Sequence, residues 1–193
     1  MLKKMLFAPA AVAIALATAI TFGGGAKAAE QETIPWEQLD LWEVRVDRTL
    51  GNQCYMAAYY PGAGTILRAG FDSDSLRHGY LLISNPAWAS LVEGRVYELI
   101  VYFGGHEWLG PAQARRNSLG TLNLVMTFSD FSALDQMGSA EHVMFYFNGQ
   151  MVANLNLSGS AAAINSLAQC QQAMWRAQGY DTTLRRSDPF IRS

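Results

Sequence analysis

One local pattern near the C-terminal end constrains the fold most. Residues 142–147 and 150–155 read as alternating strand runs, rich in aromatic and aliphatic side chains, and Asn148-Gly149 stands between them. Both turn residues tolerate positive φ, so the stretch reads as a β-hairpin closed by a type I′ turn. The same period of two recurs upstream. Trp42, Val44 and Val46 alternate with Glu43, Arg45 and Asp47 across residues 41–47, which is the pattern of a half-buried strand. Leu50-Gly51-Asn52 turns the chain into a second strand over 54–60. Pro61-Gly62-Ala63-Gly64 turns it again into a third over 65–71, so the three form a meander.

Further along, a polar loop opens at 72–75, and a short apolar strand over 80–84 is stopped by Asn85-Pro86. Residues 88–91 read as one helical turn ending at Gly94. The stretch 96–103, rich in Val, Tyr and Ile, reads as a strand. Residues 104–111 are expected to be a loop holding His106, Glu107 and Trp108. The stretch 112–128 reads as one bent strand or two short ones broken at Asn117-Ser118. Ser129 is placed to cap a short helix over 130–137, with Gly138 just past its end. Ser158 or Ser160 is placed to cap the main helix over 161–177. Ile164, Leu167, Gln171 and Met174 share one face of that helix, and Gly179 ends it. Residues 29–40 lack periodicity and read as an extended lead-in. The order of elements predicts a mainly β protein with a C-terminal helix: an antiparallel β-sandwich or partly open barrel with one helix packed on it.

The N-terminal 28 residues carry an address. Lys3 and Lys4 precede an unbroken apolar run over 6–22, Gly23-Gly24-Gly25 breaks it, and Ala26-Lys27-Ala28 has the small-x-small form of a cleavage site. That order is the signature of a secretory signal peptide. Cleavage after Ala28 leaves 165 residues of the 193: a single β-rich domain over 29–179 and a tail over 180–193 that is expected to be mobile. All three lysines leave with the leader. The remaining 11 arginines and 16 acidic residues give a formal charge of −5. A net acidic body argues against nucleic acid and against a polybasic membrane patch, and no stable membrane anchor is expected after cleavage. Cys54 and Cys170 are the only cysteines. In an oxidising compartment such a pair is expected to form one bridge, worth on the order of 4–5 kcal/mol in the chain-entropy model.

No motif commits the chain to a chemistry. His78, His106 and His142 have no metal spacing among them, and no metal or cofactor is expected. Asp72 and Asp74 flank Ser73, but position six of an EF-hand count is Arg77 and position twelve is Ile83, so the stretch reads as a polar turn. Nucleophile-elbow, P-loop and dinucleotide-binding patterns are missing. The one catalytic candidate is the pair His106 and Glu107, where an imidazole in a glycine-rich stretch would serve as general base. The aromatics suggest binding instead. Tyr55, Tyr59, Tyr97, Tyr102 and Tyr146 lie on strands, and alternation turns some of them away from the core. An exposed tyrosine face binds protein or glycan with little loss of side-chain entropy. The free hairpin edge offers a second surface, for strand addition.

Three stretches carry a resemblance: Gly51-Asn52-Gln53-Cys54, the run from Trp88 through Leu91, Gly94 and Tyr97 to Leu99, and Leu155-x-Leu157-x-Gly159-Ser160 leading to Cys170. Through them the chain resembles small uncharacterised exported proteins of Gram-negative bacteria. More distantly it is similar to the invasion-associated locus B type of periplasmic protein. The resemblance implies export and brings no catalytic residues. The expected function is a periplasmic or secreted, non-enzymatic binding or accessory protein that engages an envelope protein or glycan. A small hydrolase or lyase using His106 and Glu107, and an inhibitor or chaperone of another exported protein, are the alternatives.

Overall fold

The computed structural model describes residues 32–72, 78–129 and 131–179. The expected leader, the tail over 180–193 and Asp74 lie outside the described residues. Among those described, ten strands form one antiparallel sheet that does not close: β1 (Thr33–Leu39), β2 (Trp42–Asp47), β3 (Gln53–Tyr60), β4 (Thr65–Phe71), β5 (Gly79–Ser84), β6 (Val96–Phe103), β7 (His106–Arg116), β8 (Leu122–Phe128), β9 (His142–Phe147) and β10 (Gln150–Asn156). Two helices follow the same numbering, α1 (Ser132–Ser139) and α2 (Ser160–Ala177). Of the two architectures expected from the sequence, this is the open, single-sheet one with a C-terminal helix packed on it.

The strand order is β1-β2-β3-β4-β5-β8-β7-β6-β9-β10. The first five strands are a meander, as the turn signals require. The next three enter in reverse, so that β8 pairs with β5 and β6 lies between β7 and β9. Asn148 and Gly149 take φ of 50° and 75° in the last hairpin, the positive values its turn demands. Alternation then sorts the side chains. Trp42, Val44, Met56, Leu67, Leu81 and Val101, all 3% exposed or less, point to one face, and so do their counterparts on β7 to β10. That face rolls around α1 and α2 into a continuous core. The roll brings distant strand ends together: the Tyr60 hydroxyl donates to Asn156 O at 2.6 Å, and Trp42 Nε1 donates to Ser158 O at 2.9 Å.

Helix α2 is fixed to β3 at a single residue. Cys54 is bonded to Cys170 with a Cα–Cα distance of 6.1 Å, and its backbone N–H donates to Gln171 Oε1 at 2.8 Å. The expected bridge therefore clamps the helix onto the strand; Leu167 and Gln171 of the expected apolar face are buried, and so is Cys170 beside it.

Several local expectations are corrected. Residues 33–39 form an edge strand rather than a lead-in. Its exposed side chains and a bulge between Pro35 and Glu37 hide the alternation. Residues 104–111 are not a loop: Gly104-Gly105 make a tight turn and His106 begins β7, because pairing with β6 organises a stretch of weak strand propensity. Residues 88–91 form turns, not a helical turn. Neither helix takes a side-chain cap. Phe131 and Gly159 hold the N-cap positions, and the Ser160 hydroxyl donates instead to Met137 O at 2.9 Å.

Replacing both cysteines by alanine is expected to cost about 3 kcal/mol of stability, read as a lower urea midpoint. An unchanged midpoint would mean that packing alone holds α2 in place.

Candidate functional site

The sheet has a second face, and part of it is also hollow. A twisted sheet is saddle-shaped, so curling one way around the core opens a concavity on the other side along the opposite diagonal. Here that concavity is a trough of about 950 Å³ over β1 to β5, β8 and β7. Its rim is spanned where the Ser118 hydroxyl, in the β7–β8 turn, donates to the Glu32 carboxylate at 3.5 Å.

Register decides which side chains meet on the floor. Arg45, Tyr55, Gly70 and Tyr80 form one row across β2 to β5, each the Cα partner of the next. Ala57, Arg68, Leu82 and Val125 form the next row across β3, β4, β5 and β8. Gly70 is the spacer that makes the first row possible. A Cβ there would lie 2.8 Å from Cys54 O and 2.9 Å from Tyr55 Cβ. With no side chain between the two tyrosines, Arg68 places its guanidinium 3.6 Å from the Tyr55 ring centre and 5.5 Å from that of Tyr80. Such stacking is worth about 0.5–2 kcal/mol depending on desolvation.

The same guanidinium is hydrogen-bonded in the plane. Its Nη2 meets Asp47 Oδ2 at 2.7 Å, and its Nε donates to the Tyr80 hydroxyl. Asp47 Oδ1 accepts from the Thr49 amide at 2.9 Å and from its hydroxyl at 2.6 Å. These contacts set the charges. Burial acts to raise the Asp47 pKa, but the bonds from Thr49 and Arg68 outweigh it and hold the carboxyl below its ordinary value. Burial pushes Tyr80 up to about 12, and Tyr55 upward as well. Burial also acts against the Arg68 cation, yet Tyr80, Asp47 and Tyr55 more than offset it and its pKa is raised.

Farther along the floor, Asn123 is 6% exposed and is the Cα partner of Ser84 on one side and Arg115 on the other. Its side-chain amide lines the trough and has no hydrogen-bond partner among the described residues. Arg115 donates from Nε to Gln113 Oε1 at 2.9 Å and has no carboxylate within 4 Å among the described residues. Arg45, by contrast, is tied to Thr33 and to Glu43.

Of the five tyrosines expected to share a binding face, Tyr55, Tyr59, Tyr102 and Tyr146 take the outer phase of the sheet at separate places, and Tyr97 does not. Tyr55 is part of the trough floor, buried beneath Arg68. Tyr59 is exposed on the same face but outside the trough lining. Tyr97 points into the core, where its hydroxyl accepts from Val92 N at 2.9 Å and its ring meets Phe147. Tyr102 and Tyr146 pack edge-on, 5.7 Å apart, on the outer side of β6 and β9. Glu107 accepts from the Tyr102 hydroxyl at 2.5 Å, and that bond pushes the phenol's pKa upward. His106 is exposed at the start of β7, and neither it nor Glu107 lines the trough. Sequence reasoning missed Asp47, Arg68, Tyr80, Arg115 and Asn123. The available signal was parity, since each occupies the polar phase of its strand.

Comparison with protein-family models gives no match, and comparison with curated proteins gives none. Among solved structures, the crystal structure of invasion associated protein B from Bartonella henselae aligns with a TM-score of 0.52 at 11% identity. The alignment covers 72% of this chain and 99% of that one. The likeness is one of fold.

Two outcomes follow from the floor. Gly70→Ala is expected to cost about 1–3 kcal/mol, because the clash is with backbone that cannot swing away. A melting temperature equal to wild type would contradict the close approach. The pH dependence is set by Asp47 and Tyr80. A lowered carboxyl pKa stabilises the fold above the ordinary value of 3.8, and the gain is lost as pH falls through the folded value. A raised phenol pKa stabilises below 10, and that gain is lost as pH rises from 10 to about 12. Asp47→Asn should therefore flatten the acid limb of the stability profile and Tyr80→Phe the alkaline limb.

Proposed function

We propose that this chain is an exported, non-enzymatic binding protein whose ligand, part of an envelope partner, occupies the trough. The observation that carries the reading is the geometry of the trough floor, where Arg68 is stacked on Tyr55 and bonded to Asp47 and Tyr80. General acid–base chemistry needs a group whose pKa lies near the working pH. The groups packed together here are driven the other way, Asp47 down, Tyr80 to about 12 and Arg68 up. At neutral pH they keep fixed protonation states, held by one another in one geometry. A rigid floor of this kind recognises a ligand without moving protons. Export is supported by the leader-like N-terminus and by the single disulfide, a bond that persists in oxidising compartments. The concavity supports a site better than the tyrosine face does, because pockets bury a ligand on several sides at once.

The test is site-specific photo-crosslinking in intact cells. A photoreactive residue at Thr127, exposed on the trough wall, is expected to give a discrete adduct. The same residue at Leu109, which is 68% exposed and outside the trough, is expected to give none. Adducts from Leu109 alone, or from neither position, would contradict the proposal.

A further inference from the structure

We infer that the trough takes an extended peptide segment from another envelope protein, seating a residue's backbone on Asn123 and an acidic side chain on Arg115; the inference rests on the trough being the binding site. Asn123 is the starting point. Its carboxamide presents one acceptor and a donor pair side by side, is nine-tenths buried, and has no partner among the described residues. In an extended peptide the N–H and C=O of one residue point the same way, as in a hydrogen-bonded pair of an antiparallel ladder. That is the complement of a carboxamide, and two bonds form at once. Neither amide atom is sealed from water in the free protein, so a ligand that makes both bonds replaces water at this position.

Arg115 sets the charge. It is the Cα partner of Asn123 across β7 and β8, so its side chain is Asn123's neighbour on that face. Gln113 holds its Nε and so steadies the guanidinium. Its terminal nitrogens face no carboxylate within 4 Å among the described residues. Arg45, Arg68 and Arg116 each have an acidic partner, Glu43, Asp47 and Glu93. One uncompensated guanidinium beside one unpaired amide fits a carboxylate side chain next to a backbone residue. The fork geometry makes such a pair directional.

Two further features favour peptide over glycan. A sugar packs its C–H face on an open aromatic ring, but Tyr55 and Tyr80 are each 7% exposed and Arg68 already covers Tyr55. Leu82 and Val125, half-buried on the floor, offer apolar contact to alternate side chains of an extended strand.

The experiment uses fluorescence anisotropy with the mature chain and three labelled heptapeptide pools of Ser, Thr and Val carrying a central Glu, Gln or Lys. A pool of labelled chitin oligosaccharides is the fourth probe. The Glu pool is expected to bind saturably, about tenfold more tightly than the Gln pool, a difference of one charge-assisted contact. Arg115→Gln should bring the Glu pool down to the level of the Gln pool and leave the Gln pool unchanged. Asn123→Leu should weaken both pools about tenfold or more with a melting temperature near wild type. If that variant melts early, Asn123→Ser replaces it. Oligosaccharide binding that Asn123→Leu abolishes, with no peptide binding, overturns the peptide assignment and leaves the trough standing. Failure of all four probes, or peptide binding indifferent to Arg115, overturns it too. The crosslink at Thr127 then separately decides the fate of the trough.

Discussion

The clamp at Cys54 is the constraint on which the rest of the structure depends. Helix α2 holds this residue twice, through the bond to Cys170 and through the hydrogen bond from its amide to Gln171. The two contacts fix not only where the helix lies but which phase of β3 faces it. Side chains alternate along a strand, so a slip of one residue would send Cys54 and Met56 outward and bring Tyr55 and Ala57 into the core. Neighbouring strands inherit the phase through their ladders: Val46 is the partner of Cys54, and Gly70 of Tyr55. One crosslinked residue thus determines that the apolar phase packs against the helices and the polar phase forms the trough.

The polar phase is costly to build. Placing the Arg68 and Asp47 charges on the trough floor, with their side chains 20% and 8% exposed, gives up hydration that their mutual attraction only partly returns. The cost is reduced because each charge has more than one partner. Asp47 is held by Thr49 as well as Arg68, and Arg68 by two tyrosines as well as Asp47. Apolar residues at these positions would serve stability at least as well. A network that is satisfied within itself, beside an Asn123 amide that is not, is the arrangement expected of a surface shaped for recognition.

Much of the fold was legible because turn chemistry and alternation coincide. The bounds 65–71 and 96–103 emerged unchanged, and the Asn148-Gly149 hairpin has the predicted turn geometry. The bridge followed from compartment and count. What stayed hidden depends on pairing rather than on local sequence. β1 is an edge strand broken by a bulge at Pro35, and the start of β7 becomes a strand only beside β6. The site suffered most, since β5 pairs with β8 across two intervening strands. Tyr80 and Asn123 are 43 positions apart in sequence, and nothing local says that they line one trough. The tyrosines were visible as a class, but their faces depend on a strand order that no turn signal encodes. The similarity to invasion-associated locus B proteins pointed to a comparable fold and was silent on the site.

The central claim is that the trough keeps hydrogen-bonding capacity unfilled at Asn123 while the core face is closed. Hydrogen exchange of side-chain amides, followed by NMR on the mature chain, tests it directly. The account predicts that the Asn123 Nδ2 protons exchange as fast as those of a free amide. The Gln171 Nε2 protons, buried between α2 and the sheet, should exchange far more slowly. Slow exchange at Asn123, matching Gln171, would mean that the protein closes this group off from solvent, and the trough would lose its claim to be a site.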